Sequence, residues 1–251
     1  MKKETIALLD NFFNEVSFEV SNGKLNMCQM TENGVCRVNL TDEETTFPDG
    51  KYKIKVEYLK KVERIFGGLP KDISEMDGNI VFKDGKKQVK FRLMEFVPFK
   101  KIDLPTIFKT TQEIDLGFIK EMNSLKCNTI TFEVINGKFI AYENDNVGLA
   151  GYQIVLKEGL LGHVKAKFNI DYLSKLKGKW DISLATNEPL KLERDNVEIV
   201  IAPLILEDDD YSDEEVIKTE SKSTHEPIIE ESSEIVNSDE LLKEGNAEEL
   251  V

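Results

Sequence analysis

The sequence contains few of the residues from which catalytic and metal sites are usually built. It has two histidines, three cysteines and one tryptophan in 251 residues. Of the two histidines, only His163 lies before the last quarter of the chain. No histidine or cysteine pair has metal-ligand spacing, and neither a phosphate-binding glycine loop with its lysine nor a nucleophile elbow occurs. We therefore expect no enzymatic activity, no metal and no cofactor.

Long apolar runs are also missing. No stretch approaches 18 apolar residues, so we expect no membrane span and no membrane partner. The first residues, MKKETIALLDNFF, lack the apolar core and cleavage site of a signal peptide and favour a short amphipathic helix. Cys28, Cys36 and Cys127 form an odd set, and we expect them to be reduced and mostly buried, as in cytosolic or nuclear proteins.

The net charge of −14 belongs to one segment of the chain. Residues 207–251 hold 17 of the 47 acidic residues and 3 of the 33 basic ones, which leaves 30 of each in residues 1–206. The C-terminal segment is rich in acids, Ser and Thr and poor in aromatics, a composition that cannot bury enough apolar surface to fold. We expect residues 207–251 to be a disordered acidic tail, and its overall sign does not argue against nucleic acid as a partner of the body.

A tandem repeat organises residues 1–206. SFEVSNGKL at Ser17–Leu25 returns as TFEVINGKF at Thr131–Phe139, and Gly23 and Gly137 are 114 positions apart. Tyr58 in VEYLKKV and Tyr172 in IDYLSKL are separated by the same 114 positions. Two matches at one offset indicate a folding unit present twice.

Within each half, a helical pattern followed by three short strand-like runs occurs twice. EYLKKVERIFGG has helical apolar spacing and ends in two glycines, whereas KYKIKV alternates with a period of two. The sequence therefore predicts an α+β fold with a fourfold pseudo-repeat in two domains. We place domain 1 at 1–96, a connecting loop at 97–111 and domain 2 at 112–206.

Basic residues accompany all four predicted helices. One helix with a cationic outer face is ordinary solvated surface, but four equivalent helices would combine small excesses into one positive surface suited to a phosphate backbone. These residues are Lys2, Lys3, Lys60, Lys61, Arg64, Lys120, Lys126, Lys175, Lys177 and Lys179.

The order of these features resembles the DNA sliding clamps of the proliferating cell nuclear antigen family. The resemblance covers about residues 1–206 and is carried by the helix-plus-strand repeats, the basic helices, the long connector and FNIDYLSKL, NEPLKLE and VEIVIAPLILEDD near the end. The start, ETIALLDNFFNEVSFEVSNGKLNM, is also similar to clamps of T-even-type phages. The resemblance implies a ring of three subunits, with helices inside and sheets outside, that encircles duplex DNA. Its implied partners are double-stranded DNA, a DNA polymerase, a clamp loader and further copies of itself.

The resemblance also implies two protein-binding sites. A groove for partner peptides would be formed by residues before, within and after the connector. These are Met30, Val35, Ile102, Leu104, Pro105, Pro189, Ala202 and Pro203. Subunits would join through two strand edges, Asn79–Lys83 in one copy and Val147–Gln153 in the next. Their residues are Asn79, Ile80, Val81, Phe82, Lys83, Val147, Gly148, Leu149, Ala150, Gly151, Tyr152 and Gln153.

Other interpretations stay open at this point. The chain could be a specialised clamp subunit, such as one member of a heterotrimer or a checkpoint or viral transcription-coupled clamp, and the Ser-rich acidic tail favours such a role. It could also be a protein-binding scaffold that uses the same fold without forming a ring. The expected location is the cytoplasm or nucleoid, or a nuclear or viral replication site in a eukaryotic host.

Overall fold

In the first half of the protein, each helix is followed by three antiparallel strands. The computed structural model describes residues 1–98, 108–143 and 151–205. The first unit consists of α1 (Lys3–Phe12), β1 (Glu15–Ser21), β2 (Lys24–Met30) and β3 (Cys36–Asp42). The second unit begins with a strand and consists of β4 (Gly50–Lys55), α2 (Val56–Phe66), β5 (Asp72–Met76), β6 (Asn79–Asp84) and β7 (Lys87–Arg92).

The second half repeats this order. Its first unit consists of β8 (Thr110–Asp115), a 3₁₀ turn (Leu116–Phe118), α3 (Ile119–Ser124), β9 (Thr129–Ile135), β10 (Lys138–Glu143) and β11 (Tyr152–Glu158). Its second unit consists of β12 (Val164–Asn169), α4 (Ile170–Leu173), β13 (Lys179–Leu184), β14 (Leu190–Arg194) and β15 (Val197–Ile201). The predicted α+β fold and its fourfold repeat of a helix and three strands are confirmed.

The repeated sequence forms the same hairpin in both halves. Asn22 and Gly23 join β1 to β2 with φ angles of 54° and 73°, and Asn136 and Gly137 join β9 to β10 with angles of 50° and 77°. Two successive positive φ angles define the type I′ turn, which Asn-Gly favours because it matches the twist of a hairpin.

The helices bury one face and differ in length. In α2, Val56, Leu59 and Val62 are buried, and Gly67 ends the helix in a left-handed conformation. The last helix is shorter than DYLSKLKGK predicted, since α4 ends at Leu173. After the helix, the Leu176 amide donates to the Leu173 carbonyl over 3.0 Å, and the carbonyl of Lys177 accepts hydrogen bonds from the Trp180 indole and from Arg194.

The described strands form three sheets. The largest has the order β4-β1-β2-β3-β15-β14-β13-β8, so it runs through both halves of the chain. The halves meet where β3 pairs antiparallel with β15, from Leu40 opposite Val197 to Cys36 opposite Ile201. The other sheets have the orders β11-β10-β9-β12 and β5-β6-β7. The domain limits at 96 and 112 stay predictions.

The eight-stranded sheet has an apolar and a polar face. Phe18, Tyr52 and Trp180 belong to the buried core that the helices also enter through residues such as Leu9 and Leu59. On the opposite face, Glu15 pairs with Lys53 at 3.3 Å and Glu19 pairs with Lys51 at 3.2 Å. This face is the outer surface of the sheet, since the helices cover the other one.

Both described ends of the connector lie on this outer face. The Met94 amide donates to the carbonyl of Lys53 over 3.0 Å, and the Lys51 ammonium lies 5.5 Å from the Phe96 ring centroid. At the other end, the Lys191 ammonium lies 5.2 Å from the centroid of Phe108. Residues 99–107, and with them most of the predicted connecting loop, lie outside the described residues, as do 144–150 and the predicted tail. Across the part of the chain that the structure describes, no helix is long and apolar enough to span a bilayer.

Candidate functional site

A cleft of about 560 Å³ opens between α1, α2 and the turn that follows α4. We call it the helical groove. Three separate repeats contribute to it, and six of its charged side chains are basic and three are acidic. The charged residues are Lys3, Glu4, Asp10, Lys60, Glu63, Arg64, Lys175, Lys177 and Arg194. The groove therefore carries a formal excess of positive charge although the whole chain is acidic.

Lys175 is held in place by groups from two helices, α1 and α4. Its carbonyl accepts a hydrogen bond from the Asn11 amide over 3.0 Å, which ties α1 to the turn after α4. Its ammonium lies 5.3 Å from the ring centroids of both Phe12 and Tyr172. The Tyr172 hydroxyl in turn accepts a hydrogen bond from the amide of Asn33. Aromatic faces attract a cation, so these two rings help to position the Lys175 ammonium.

Two ion pairs orient other cations in the groove. Lys60 lies 2.6 Å from Asp10, and Lys3 lies 3.3 Å from Glu63. Both pairs connect α1 with α2. Exposed pairs of this kind contribute little to stability, but they reduce the net field of the groove. The positive excess of the groove therefore comes from basic residues outside these two pairs, such as Arg64, Lys177 and Arg194.

Arg194 is a groove residue that the sequence did not predict. It ends β14, and its guanidinium carbon lies 4.1 Å from the centroid of Trp180. Its Nη1 also donates to the carbonyl of Lys177 over 2.6 Å. Because Arg194 follows a strand, no helical spacing marked it, and only the pairing of β13 with β14 brings it beside Trp180.

Two of the predicted cations are engaged elsewhere. Lys61 pairs with Glu57 one turn earlier at 2.6 Å, and its hydrogen bond lowers the pKa of the Glu57 carboxyl. The prediction that Lys179 lies on a helix with the other cations is wrong. Lys179 begins β13, where side chains alternate between the two faces, and Trp180 takes the core face. Lys179 instead pairs with Glu113 at 3.0 Å, and this hydrogen bond raises the pKa of the ammonium.

The remaining predicted cations lie at helix ends or in α3. Lys2 precedes α1 as its N-cap residue, Lys120 is in α3, and Lys126 follows α3 with a φ of 60°. All three are exposed, and none of them lines the helical groove. Contact between these three lysines and DNA stays a prediction.

Four of the eight predicted peptide-groove residues come together in one small pocket, which we call the apolar pocket. Met30, Val35, Pro189 and Ala202 line it, together with Gly34, Arg37 and Val200. Its volume is about 80 Å³, and one water takes about 30 Å³ of liquid, so it has room for a single small side chain.

The walls of the apolar pocket come from both halves of the repeat. The amide of Ala202 donates to the carbonyl of Val35 over 2.8 Å, which joins the segment after β15 to the start of β3. Arg37, which is 8% exposed, lies 3.5 Å from Glu198 across the β3–β15 pair. Pro203 is half-buried beside Ala202 but does not line the pocket. Ile102, Leu104 and Pro105 lie outside the described residues.

The first predicted subunit edge, Asn79–Lys83, is wrong. These residues lie in β6, the central strand of its sheet, and pair with β5 on one side and β7 on the other. Both backbone edges of β6 are therefore used within the chain. The sheet ends at β5 and β7 instead.

The second predicted edge falls partly on a strand that can accept a partner. Tyr152 and Gln153 begin β11, which pairs only with β10 among the described strands, and Gly151 directly precedes it. The Tyr152 hydroxyl donates to Glu121 of α3 over 3.1 Å. Val147, Gly148, Leu149 and Ala150 lie outside the described residues.

Comparison with known proteins identifies the fold. The chain matches no protein-family model and no curated protein sequence. It is similar to the solved PCNA of Thermococcus kodakaraensis, with 16% identity and a TM-score of 0.63 over 80% of this chain and 94% of that one. The PCNA2–PCNA3 complex of Sulfolobus tokodaii gives the same identity and TM-score over 79% and 94%.

A further similar structure contains a bound partner segment. It is A. fulgidus PCNA with the C-terminal region of FEN-1, at 15% identity and a TM-score of 0.57, covering 81% of this chain and 94% of that one. At these identities the likeness establishes the fold alone. The chain thus has the PCNA-like sliding-clamp fold.

Proposed function

We propose that this chain is a subunit of a ring-shaped sliding clamp that encircles duplex DNA and increases the processivity of a DNA polymerase. The observation that supports this best is the helical groove, in which cations from three repeats meet on the helix side of the sheets. Phosphate groups attract such a surface whatever the base sequence, which a protein that slides along DNA requires. The role is that of a scaffold without catalysis, metal or cofactor.

The open strand edges support a closed ring. Among the described strands, β7 ends the three-stranded sheet and β11 ends the four-stranded sheet. On the core side of these edges, Phe91 of β7 and Ile154 and Leu156 of β11 are only partly buried. Pairing β7 of one copy with β11 of the next would complete both cores and remove two open edges. Such a head-to-tail contact closes into a ring when its rotation allows.

The apolar pocket supports a binding site for partner proteins. A. fulgidus PCNA has been solved with the C-terminal region of FEN-1 bound. We extend this to the present chain and propose that short segments of a polymerase, a clamp loader and a FEN-1-type nuclease place one apolar side chain in the pocket. An 80 Å³ pocket accepts one anchor, so the rest of the segment must lie on the surface around it.

The ring is tested by the native mass of the intact protein over a concentration series, followed by retention on DNA. We expect a mass near three times 28.6 kDa and, with a clamp loader, retention on circular DNA that is lost after the circle is cut. A monomer at every concentration would exclude a ring of identical subunits, and equal retention on circular and linear DNA would contradict the proposal.

The pocket is tested separately with the C-terminal FEN-1 peptide and calorimetry. Ala202→Leu adds bulk to a half-buried wall residue and should weaken peptide binding at least tenfold, because it fills the space for the anchor. Leu204→Ala is a matched control, since this exposed residue lies two positions away and does not line the pocket. Equal affinity of both variants for the peptide would place its site elsewhere.

A heteromeric ring is the second candidate, because the similar Sulfolobus structure is a complex of PCNA2 with PCNA3. In that case this chain stays monomeric alone and reaches the mass of a trimer only when related subunits are added. The native mass therefore separates the two candidates.

A further inference from the structure

The strand β5 has an open edge at a position that is occupied in the other three repeats. In those repeats, the first strand after the helix pairs antiparallel with the leading strand of another unit. These pairs are β1 with β4, β9 with β12, and β13 with β8. Among the described residues, β5 pairs only with β6, so its second edge has no strand beside it.

A tripeptide shared by β5 and β13 indicates which kind of strand can pair with the open edge of β5. β5 and β13 both contain Asp-Ile-Ser, at Asp72–Ser74 and at 181–183. In β13, the hydroxyl of Ser183 lies 2.8 Å from that of Thr111 in β8, and Ser183 is 2% exposed. In β5, Ile73 is buried as its counterpart is, but Ser74 is exposed. The inner face of β5 is thus packed in the same way, while no described strand lies beside its outer edge.

The charges of the occupied pairs indicate the chemistry of the missing neighbour. Two leading strands, β4 and β12, alternate lysines with buried apolar residues. The lysines of β4 form the ion pairs with Glu15 and Glu19 of β1, and Lys165 of β12 stands opposite Glu133 of β9. β5 carries the exposed Asp72 on the face opposite to that of the buried Ile73. A strand with a lysine opposite Asp72 would complement it, because opposite charges across a strand pair attract.

We propose that the edge Asp72–Met76 of β5 binds an extended segment of a partner protein that adds to the sheet as an antiparallel strand. The segment places apolar residues on the core face and, on the other face, a lysine opposite Asp72 and a hydroxyl residue opposite Ser74. Main-chain hydrogen bonds supply most of the affinity in this mode of recognition, and the lysine supplies specificity. The exposed side chain of Met76, at 58%, adds apolar contact at one end. This site is separate from the helical groove and from the apolar pocket.

The probe is a strand that already pairs with the shared tripeptide. In β13, Glu113 of β8 stands opposite Asp181, the counterpart of Asp72. A synthetic peptide of Phe108–Leu116 carrying Glu113→Lys places a lysine opposite Asp72. The intact protein is titrated with this peptide, and backbone amide exchange is followed residue by residue. The control peptide has the same sequence with methylated backbone nitrogens at alternate residues. These nitrogens cannot donate hydrogen bonds to β5.

We expect saturating peptide to slow hydrogen exchange at least tenfold at those backbone amides of β5 that point away from β6. The methylated peptide should leave these exchange rates unchanged. Asp72→Lys should abolish the effect while the free protein keeps its fold, because this side chain is exposed. Glu44→Lys, a charge reversal on the β3–β4 loop, should bind the peptide like the unchanged protein.

Three results would overturn the proposal. Unchanged exchange in β5 would mean that its short length and acidic residues simply protect the edge from pairing. Protection that grows with protein concentration in the absence of peptide would identify a second copy as the occupant. Loss of protection in β8 would show that the peptide replaces that strand on β13 instead.

Discussion

The side-chain amide of Asn11 donates a hydrogen bond to the carbonyl of Lys175 over 3.0 Å, which joins residues 164 positions apart. This bond connects the helix of the first repeat to the turn after the helix of the fourth. The helical groove exists because these two segments meet beside α2. Its charge is therefore a property of the folded subunit rather than of any one helix.

DNA affinity should depend on the groove cations more than on cations elsewhere. Removing the two exposed charges in Arg64→Ala with Lys177→Ala should lower the slope of log affinity against log salt by about 2, because each phosphate contact contributes about 0.9 to it. Binding to a fluorescent duplex is measured between 50 and 200 mM salt.

A matched control removes two cations outside the groove. Lys61→Ala with Lys179→Ala should leave this slope unchanged, since Lys61 pairs with Glu57 and Lys179 with Glu113. If both double variants changed the slope equally, the groove would not be the DNA-binding surface.

Subunit association should respond to charge at the β11 edge. Val155 is 45% exposed in β11, and the exposed residues of β7 include Lys87, Lys90 and Arg92. Val155→Lys should weaken each contact by about 0.2–1 kcal/mol, because like charges across a strand pair repel. Sedimentation velocity would show a shift toward smaller species, and Lys90→Glu in the same chain should reverse part of it.

The specificity of this effect is checked with Leu161→Lys, which makes the same kind of change at a residue that is 95% exposed and outside the strands. Its sedimentation should match that of the unchanged protein. An effect of Leu161→Lys as large as that of Val155→Lys would show that association depends on net charge and not on the β11 edge.

Arg194 should have separable roles in stability and in DNA binding. Arg194→Ala removes the stack on Trp180 and the hydrogen bond to Lys177, so the free energy of unfolding should fall by about 1–2 kcal/mol. Arg194→Lys should lose much of the same stability but keep the salt dependence of DNA binding, because it retains the charge. Trp180 is the only tryptophan, so its fluorescence reports unfolding directly. Equal stability of the unchanged protein, Arg194→Ala and Arg194→Lys would contradict a role of Arg194 in stability.

The cysteines should differ in reactivity toward a thiol reagent at pH 8. Burial raises the pKa of Cys36 to about 12, and burial together with Glu143 raises that of Cys127 to about 11. Both thiols are protonated and covered at pH 8, so the half-buried Cys28 should react first. Cys28→Ser should remove the fast phase, and a fast phase that persists would contradict this assignment.

The same raised pKa values give the sign of a pH effect on stability. The folded state holds these protons more tightly than the unfolded state, whose thiols ionise near pH 9. The contribution is therefore complete below pH 9 and is lost as the pH rises toward 12. Cys36→Ala should reduce the fall in unfolding free energy above pH 9, which urea titrations at pH 8 and pH 10 would measure.

Local features of the chain were predictable from sequence because their causes are local. The Asn-Gly turns at Asn22 and Asn136 need only two residues that tolerate positive φ, and the stripe of α2 needs only helical spacing. The 114-position offset required one more step, the comparison of the chain with itself. These observations were enough for the order of elements and for the likeness to sliding clamps.

Site residues were predictable only where their element had been assigned correctly. Met30, Val35, Pro189 and Ala202 line one pocket, and their role in binding a partner peptide stays a prediction. The prediction of a sheet edge at Asn79–Lys83 was wrong because a strand pattern does not show whether the strand lies inside a sheet or at its end. The prediction for Lys179 was wrong because α4 ends at Leu173 and Lys179 begins the strand β13. Its side chain therefore follows the alternation of a strand and lies on the face opposite to the core.

The sequence by itself determined the periodicities, the turns and the repeated unit, since each depends on neighbours within a few positions. Only the tertiary structure decided which cations share the groove, which strands end the sheets, and that Arg194 lies on Trp180. Those outcomes depend on pairings such as β3 with β15 and β13 with β14, whose register no local spacing specifies. Positive charge could be counted along the chain, but its concentration in one groove required helices from distant repeats to pack together.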